Sequence, residues 1–382
     1  MGFTLGPRAV AWTTWAMESG GKDSNRMDRH NNAARSTHPT LDRSRGGRRN
    51  AGARAGSGDR MRVVIPGGTG QVGTLLARAF HRDGHDVVVL GRSTTHAPWR
   101  VARWDPARIG DWAREFDGAD VVINLAGRSV NCRYSARHRE EILQSRVAST
   151  RVVGQAIAAA RRPPATWMQA STATIYAHRY DAPNDEDSGI LGGAEADTPQ
   201  TWRFSIEVAT AWERTLDEAT VDGTRKIKLR SAVVLSPDRG GIFDTILSLV
   251  RRGLGGTAGD GRQYVSWIHD EDFVRAIYWL LDRPDMDGPV NLASPHPLPN
   301  RDFMATLRQA WGTSVGLPAR RWMLELGAFL MRTETELILK SRRVVPGRLT
   351  RHGFMFRSPE WPDAARDLCD RWRTLQLRGQ AS

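Results

Sequence analysis

The chain has 382 residues, 40% of them hydrophobic, which is enough to bury a sizeable core as one large or two modest domains without disulfides. Its two cysteines, Cys132 and Cys369, lie far apart with no CxxC and no His/Cys cluster at metal-ligand spacing, so they read as reduced thiols of a cytoplasmic protein and no metal site is expected. Of the formal charge of +13, residues 1–60 carry +6 (11 Lys/Arg against 5 Asp/Glu), and the rest shows no basic cluster interleaved with aromatics, which argues against a nucleic-acid partner.

Residues 1–60 are rich in Gly, Arg, Ser, Asn and Ala and follow neither a helical nor a strand period, so they are expected to be disordered. They read either as a targeting or binding arm or as an extension upstream of a product starting at Met61. The strand signal that begins at Met61 without a linker favours the second. No apolar run approaches the ~20 residues that cross a bilayer, and no membrane partner is expected.

From Met61 the pattern alternates. Arg62 to Ile65 is a short β-branched run, Gln71 to His81 has helically spaced apolar residues (Val72, Leu75, Leu76, Ala79, Phe80), and Asp86 to Leu90 is a buried strand. Asp120 to Leu125 predicts a further strand. A long helix is predicted over Ala136 to Ala160 with Leu143, Val147, Thr150, Gly154 and Ile157 on one face, stopped by Pro163 and Pro164. A strand at Thr166 to Ala170, a helix from Thr201 to about Ala219 and a strand at Ile227 to Leu235 follow. Strands that read as solid apolar runs between helices imply an α/β fold with a doubly wound, parallel, Rossmann-type sheet. After Ser236 come a Gly-rich stretch (Gly253 to Gly261), a helix at Asp270 to Leu281, a strand at Val290 to Ala293 and then mainly helical segments. The expected organisation is a nucleotide-binding domain over 61–235 and a smaller, mainly helical, substrate-side domain over 236–382.

Gly67-Gly68-Thr69-Gly70-Gln71-Val72-Gly73 directly follows the first strand and opens the first helix, the context in which a glycine fingerprint signifies a ligand. Bare backbone there lets a pyrophosphate reach N–H groups at a positive helix end. Cofactor contacts are therefore expected from Gly67, Thr69, Gly70, Gln71, Val72 and Gly73; the alternative is a glycine-rich turn without ligand. The second strand closes with Arg92-Ser93 and no carboxylate follows before Asp105, which favours NADP(H) over NAD(H), because a guanidinium grips a 2′-phosphate in two places. Leu125, Ala126 and Gly127, small residues at a strand's carboxyl end, leave room for the cofactor, while Asn124 is expected to tie strands together. Ser171 and Thr172, in the run Ala170 to Tyr176, place hydroxyls where a nicotinamide and a substrate carbonyl would meet.

These residues resemble the extended short-chain dehydrogenase/reductase superfamily. Trp202-Arg203-Phe204-Ser205, Ala211-Trp212-Glu213, the run Gly255 to Gln263, Val265 to His269 and Gly288 to Leu292 are similar to the epimerase-like group called NAD-dependent epimerase/dehydratase family protein, whose own C-terminal domain Pro299 to Phe356 resembles. The resemblance covers Met61 to about Arg373. It implies an NADP(H)-binding oxidoreductase or epimerase acting on a small carbonyl or sugar-like molecule, with a homodimer formed through the two long helices. The alternative is a non-catalytic NADP(H) sensor. Thr172 matches the superfamily's Ser/Thr site. The Tyr-x-x-x-Lys pair, in which Lys lowers the phenol's pKa, is missing: its positions fall near Phe204 and Val208. Tyr176 and His178 are the candidate substitutes, with Tyr180 beside them. His269, Asp270 and Asp272 resemble a catalytic cluster but read better as the start of a helix.

Overall fold

A computed structural model describes residues 60–94, 96–195, 199–319 and 336–380; residues 1–59 of the expected disordered extension lie outside them. The sheet begins with β1 (Arg62–Pro66), whose side chains alternate between two buried faces. Val63 and Ile65 point to the side covered by α1 (Gln71–Arg82), and Val64 points to the side covered by α2 (Ala136–Ala159). The same division recurs in β2 (Asp86–Gly91), β4 (Val121–Asn124) and β5 (Thr166–Thr172), which is why these strands read as unbroken apolar runs.

With β3 (Arg100–Arg103), β6 (Arg225–Ser231) and β10 (Gly288–Leu292), they form one seven-stranded sheet of order β10-β6-β5-β4-β1-β2-β3. Every pairing in it is parallel. The order reverses beside β1: β2 lies on one side and β4 on the other, so the crevice at their carboxyl ends is the topological switch point, where such folds bind ligands. α3 (Gln200–Glu218) packs beside α2 on one face, and α5 (Asp270–Leu281) joins α1 on the other.

Two expectations change. β3 was not foreseen, because Arg100-Val101-Ala102-Arg103 carries too few apolar residues to announce a strand at a sheet edge. The strand expected over Ile227 to Leu235 divides at Ala232. Its second part, β7 (Val233–Leu235), leaves the sheet and pairs with β9 (Trp267–His269), which follows the two-residue β8 (Tyr264–Val265). The sheet also takes its outermost strand, β10, from beyond residue 235.

The buried face of α2 differs too. It runs through Ile142, Arg146, Ser149, Thr150, Val153 and Ile157, whereas Leu143 and Val147 are only half-buried. Arg146 is the reason: a residue that simple patterning puts outside is 3% exposed, donating to the carbonyls of Ile142 and Arg128 at 3.0 Å and lying 4.9 Å from the Trp212 ring.

A second core gathers β7, β9, α4 (Ile242–Arg251), α6 (Asn300–Trp311) and α9 (Trp361–Gln380), with Phe303 stacked on Trp361 at 4.1 Å. Between α6 and α9 lie two short helices, α7 (Glu336–Leu339) and α8 (Gly347–Arg351). The segment joining them is fixed along residues 174–184. Lys340 Nζ donates to the Thr174 carbonyl at 2.8 Å, Arg342 Nε to Thr174 Oγ1 at 3.1 Å, and Asn184 N–H to the Arg343 carbonyl at 2.7 Å.

Candidate functional site

At the switch point the chain turns from β1 into α1 on glycine. Gly67 has φ +71°, and a Cβ there would lie 2.6 Å from Ala126 Cα; one on Gly73 would lie 2.4 Å from Gly68 Cα. The turn is thus closed against the tip of β4, around Leu125 and Ala126, by backbone alone. No side chain caps the N-terminus of α1 at Gly70, and Gln71 Nε2 is buried without a hydrogen-bond partner among the described residues. An uncapped helix start, bare backbone and an orphan donor together suit a diphosphate. Arg92 and Ser93 sit exposed just beyond β2, beside Gly91, whose added Cβ would meet Thr69 Cγ2 at 2.7 Å, so the second-strand tip and the glycine turn adjoin. Asn124 does what was expected: its Nδ2 donates to Gln169 Oε1 on β5 at 2.9 Å, and its Oδ1 receives the Ala126 N–H.

Thr172 closes β5 and lines a cavity of about 30 Å³ with Tyr134, Arg146, Thr174, Ser205 and Glu336 among its polar walls and Phe204, Val208 and Trp212 among its apolar ones. Thr172 Oγ1 accepts the Thr174 N–H at 3.1 Å, which leaves its hydroxyl proton to be donated to another oxygen. Ser205 Oγ donates to Glu336 Oε2 at 2.5 Å and lies close enough to act on the Tyr134 phenol. Burial, with Glu336 adding to it, pushes the Tyr134 phenol well above the usual range, so it stays protonated. Burial pulls Arg146 down to about 10, leaving it charged at neutral pH.

The structure does not bring Tyr176, His178 or Ser171 to this cavity. The Tyr176 hydroxyl donates to Asn291 Oδ1 at 3.0 Å and receives Arg230 Nη1 at 2.9 Å. Arg230 in turn is paired with Glu213, which accepts Ser171 Oγ at 2.6 Å. Ser171, Arg230 and Asn291 are register partners on β5, β6 and β10, so this buried row stitches strands. His178 Nδ1 accepts the Ser341 N–H at 2.7 Å, and its ring packs against Trp202 at 4.7 Å; burial, helped by Lys340 and Arg342, lowers its pKa and keeps it neutral. The cluster that starts α5 is structural. His269 Nδ1 rather than an Asp accepts the Glu271 N–H as cap, Asp270 binds Arg371, and Asp272 accepts the N–H groups of Arg357 and Ser358.

Sequence reasoning missed Tyr134, Arg146, Ser205 and Glu336. They come from the β4–α2 loop, α2, α3 and α7, and no local motif announces their convergence. Among the described residues no group of three or more His, Cys, Asp or Glu could hold a metal ion, and no helix is long and apolar enough to cross a membrane.

The NAD dependent epimerase/dehydratase family matches residues 63–293, well over half of the chain. The chain belongs to that family. Residues 321–368 match a domain of unknown function, DUF1731, part of which lies among the described residues as α7, α8 and the start of α9. Human epimerase family protein SDR39U1 is 29% identical over 311 residues, covering 81% of this chain and 99% of that protein. An epimerase family protein of Mycobacterium bovis is 32% identical, covering 77% and 93%. The crystal structure of human SDR39U1 (isoform 2) with NADPH superimposes with a TM-score of 0.71 at 29% identity, covering 81% of this chain and 99% of that one. Phe204 and Val208, near which the resemblance puts the superfamily's Tyr and Lys, line the cavity.

Proposed function

We propose that the chain binds NADP(H) at the turn Gly67 to Gly73, with Arg92 and Ser93 on the 2′-phosphate, and exchanges hydride with a small carbonyl or sugar-like substrate whose oxygen is held by Thr172. The observation that carries this reading is the placement of a hydroxyl with its proton available at the end of β5, in a polar-ended cavity, in a fold whose β1 turn is bare backbone. A bound nicotinamide would supply the hydride; the chain supplies orientation, a hydrogen bond to the oxygen, and apolar walls that exclude water. The NADPH held by human SDR39U1 supports the choice of cofactor. A cavity of about 30 Å³ has room for little more than a water or two, so the part of a substrate that enters is a carbonyl and its nearest substituents. The absent Tyr-x-x-x-Lys pair favours a second reading, an NADP(H) sensor without turnover.

Calorimetry with NADPH and NADH tests the binding. NADPH should bind more tightly, and Arg92→Ala should weaken NADPH by about tenfold or more, the worth of a charge-assisted contact, while leaving NADH nearly unchanged. Equal weakening of both would remove the cofactor assignment. NADPH oxidation against a carbonyl panel, lost in Thr172→Ala without loss of NADPH affinity, separates enzyme from sensor.

A further inference from the structure

The superfamily's proton donor is rooted on α3, and there this chain has Phe204. The Phe204 ring packs edge-on against Tyr134, centroids 5.2 Å apart, so a phenol from another element lies against the vacated position. Tyr134, from the loop before α2, is 8% exposed and shares the cavity with Thr172. Behind it, Ser205, the residue after Phe204, lines the same cavity as Tyr134, acts on its phenol and donates to Glu336. Glu336 is 1% exposed and begins α7 in the C-terminal segment. From the phenol a polar path therefore runs through a hydroxyl to a carboxylate. The charged groups acting on Glu336 and its neighbours include Lys340 and Arg342 on the same segment, Arg146 on α2, and Glu195, which acts on Lys340.

Resting on the oxidoreductase reading above, we propose that Tyr134 is the proton donor of this site, with Ser205 and Glu336 as the positioning residues that restore its proton, a set that takes the place of Tyr-x-x-x-Lys. In reduction, the substrate carbon receives hydride from a reduced nicotinamide and the carbonyl π pair moves onto oxygen. That oxygen, already hydrogen-bonded by Thr172, takes the phenolic proton of Tyr134. Tyr134 regains a proton from Ser205, whose hydroxyl turns from the Glu336 carboxylate to the phenolate; Ser205 is reprotonated through Glu336 by a proton from solvent, which leaves Glu336 a carboxylate as before. The oxidised nicotinamide and the alcohol leave, and every proton is accounted for. Val208 lies near the place of the superfamily's Lys, and burial of the Tyr134 phenol outweighs the pull of the Arg146 guanidinium in the same cavity. The set therefore favours donating a proton over abstracting one, which commits the site to the reductive direction.

The experiment uses the full chain with NADPH and 9,10-phenanthrenequinone as probe, comparing Tyr134→Phe, Ser205→Ala and Glu336→Gln, with melting curves confirming the fold of each. Tyr134→Phe should lower kcat about a hundredfold with NADPH affinity within twofold. Ser205→Ala and Glu336→Gln should each lower kcat about tenfold, and Glu336→Gln should remove one limb of the pH profile, which a merely structural role would not do. Turnover by Tyr134→Phe within threefold of the parent chain overturns the proposal. A second measurement decides if the probe is not reduced at all. The nicotinamide ring is cationic only when oxidised, so Glu336→Gln should weaken NADP⁺ about tenfold and leave NADPH unchanged; an unaltered affinity ratio overturns the proposal. Binding of neither cofactor to the parent chain would instead remove the proposed function, and this inference with it, whereas tight NADPH binding with silent variants removes this inference alone.

Discussion

Replacing Gly73 by Ala sets two effects of opposite sign against each other. Gly73 lies in the first turn of α1 and is buried, so a methyl group favours the helix by about 1 kcal/mol through propensity. The added Cβ, however, would lie 2.4 Å from Gly68 Cα and 2.5 Å from Gly68 O, where ordinary contact begins at 3.4 Å. The obstacle is backbone, so the helix start and the glycine turn must part by about 1 Å, at the usual cost of overpacking, about 1–3 kcal/mol. The net loss of stability is then small, about 0–2 kcal/mol. Ligand binding suffers more, because a turn displaced by about 1 Å misaligns N–H donors whose hydrogen bonds to a charged group contribute about 1.5–3 kcal/mol each. Thermal melting should show a shift of a few degrees, and calorimetry a loss of NADPH affinity of about tenfold to a hundredfold. Affinity within threefold of the parent chain, with the fold intact, would refute the reasoning that backbone contact in this turn holds the diphosphate.

Burial gives two more testable outcomes. Lys340 is 1% exposed and burial lowers its pKa from 10.5 to about 8, so between those values the unfolded chain holds a proton that the folded one has shed and this group makes stability rise with pH. Across pH 8 to 9, Lys340→Met should remove about 1 kcal/mol of that rise, read by denaturant unfolding at each pH; an identical pH dependence in both chains would show that Lys340 does not titrate in this range. Cys369 is fully buried and burial pushes its thiol up to about 12, whereas Cys132 is half-buried, so Ellman's reagent should titrate one thiol in the native chain and both in denaturant. Two fast thiols in the native state would contradict the packing of α9.

The fold could be read from the sequence because its information is local. Each central strand buries both faces and so appears as an apolar run, and Gly67 to Gly73 sits in a fixed place between strand and helix. The elements that escaped notice lack such a signal. β3 is a short edge strand with arginines at both ends, and the kink at Ala232 that sends β7 out of the sheet is set by pairing with β9, 34 residues further on. The glycine turn was legible for the same local reason. The lining of the cavity at Thr172 was not: Tyr176 and His178 come soon after Thr172 in sequence but are turned into the strand-end network and the C-terminal segment. Arg146 was hidden by the rule that places charge outside; its guanidinium is satisfied by two carbonyls and the Trp212 face.

The C-terminal segment accounts for why the chemistry could move. In a site where α3 supplied both Tyr and Lys, the sheet domain would hold its own proton machinery. Here the α3 positions are apolar, and the nearest carboxyl in the cavity arrives with α7, on a segment whose Lys340 and Arg342 grip Thr174, two residues beyond Thr172. The contacts that fix Glu336 in place are therefore the same ones that order the turn carrying Thr172, because Thr174 gives its N–H to Thr172 Oγ1 and its carbonyl and hydroxyl oxygens to the segment. Loosening that clamp should disturb the orientation of Thr172 and the path behind Tyr134 together, while the glycine turn, held by Leu90, Leu125 and Ala126 on the far side of β4, keeps its shape.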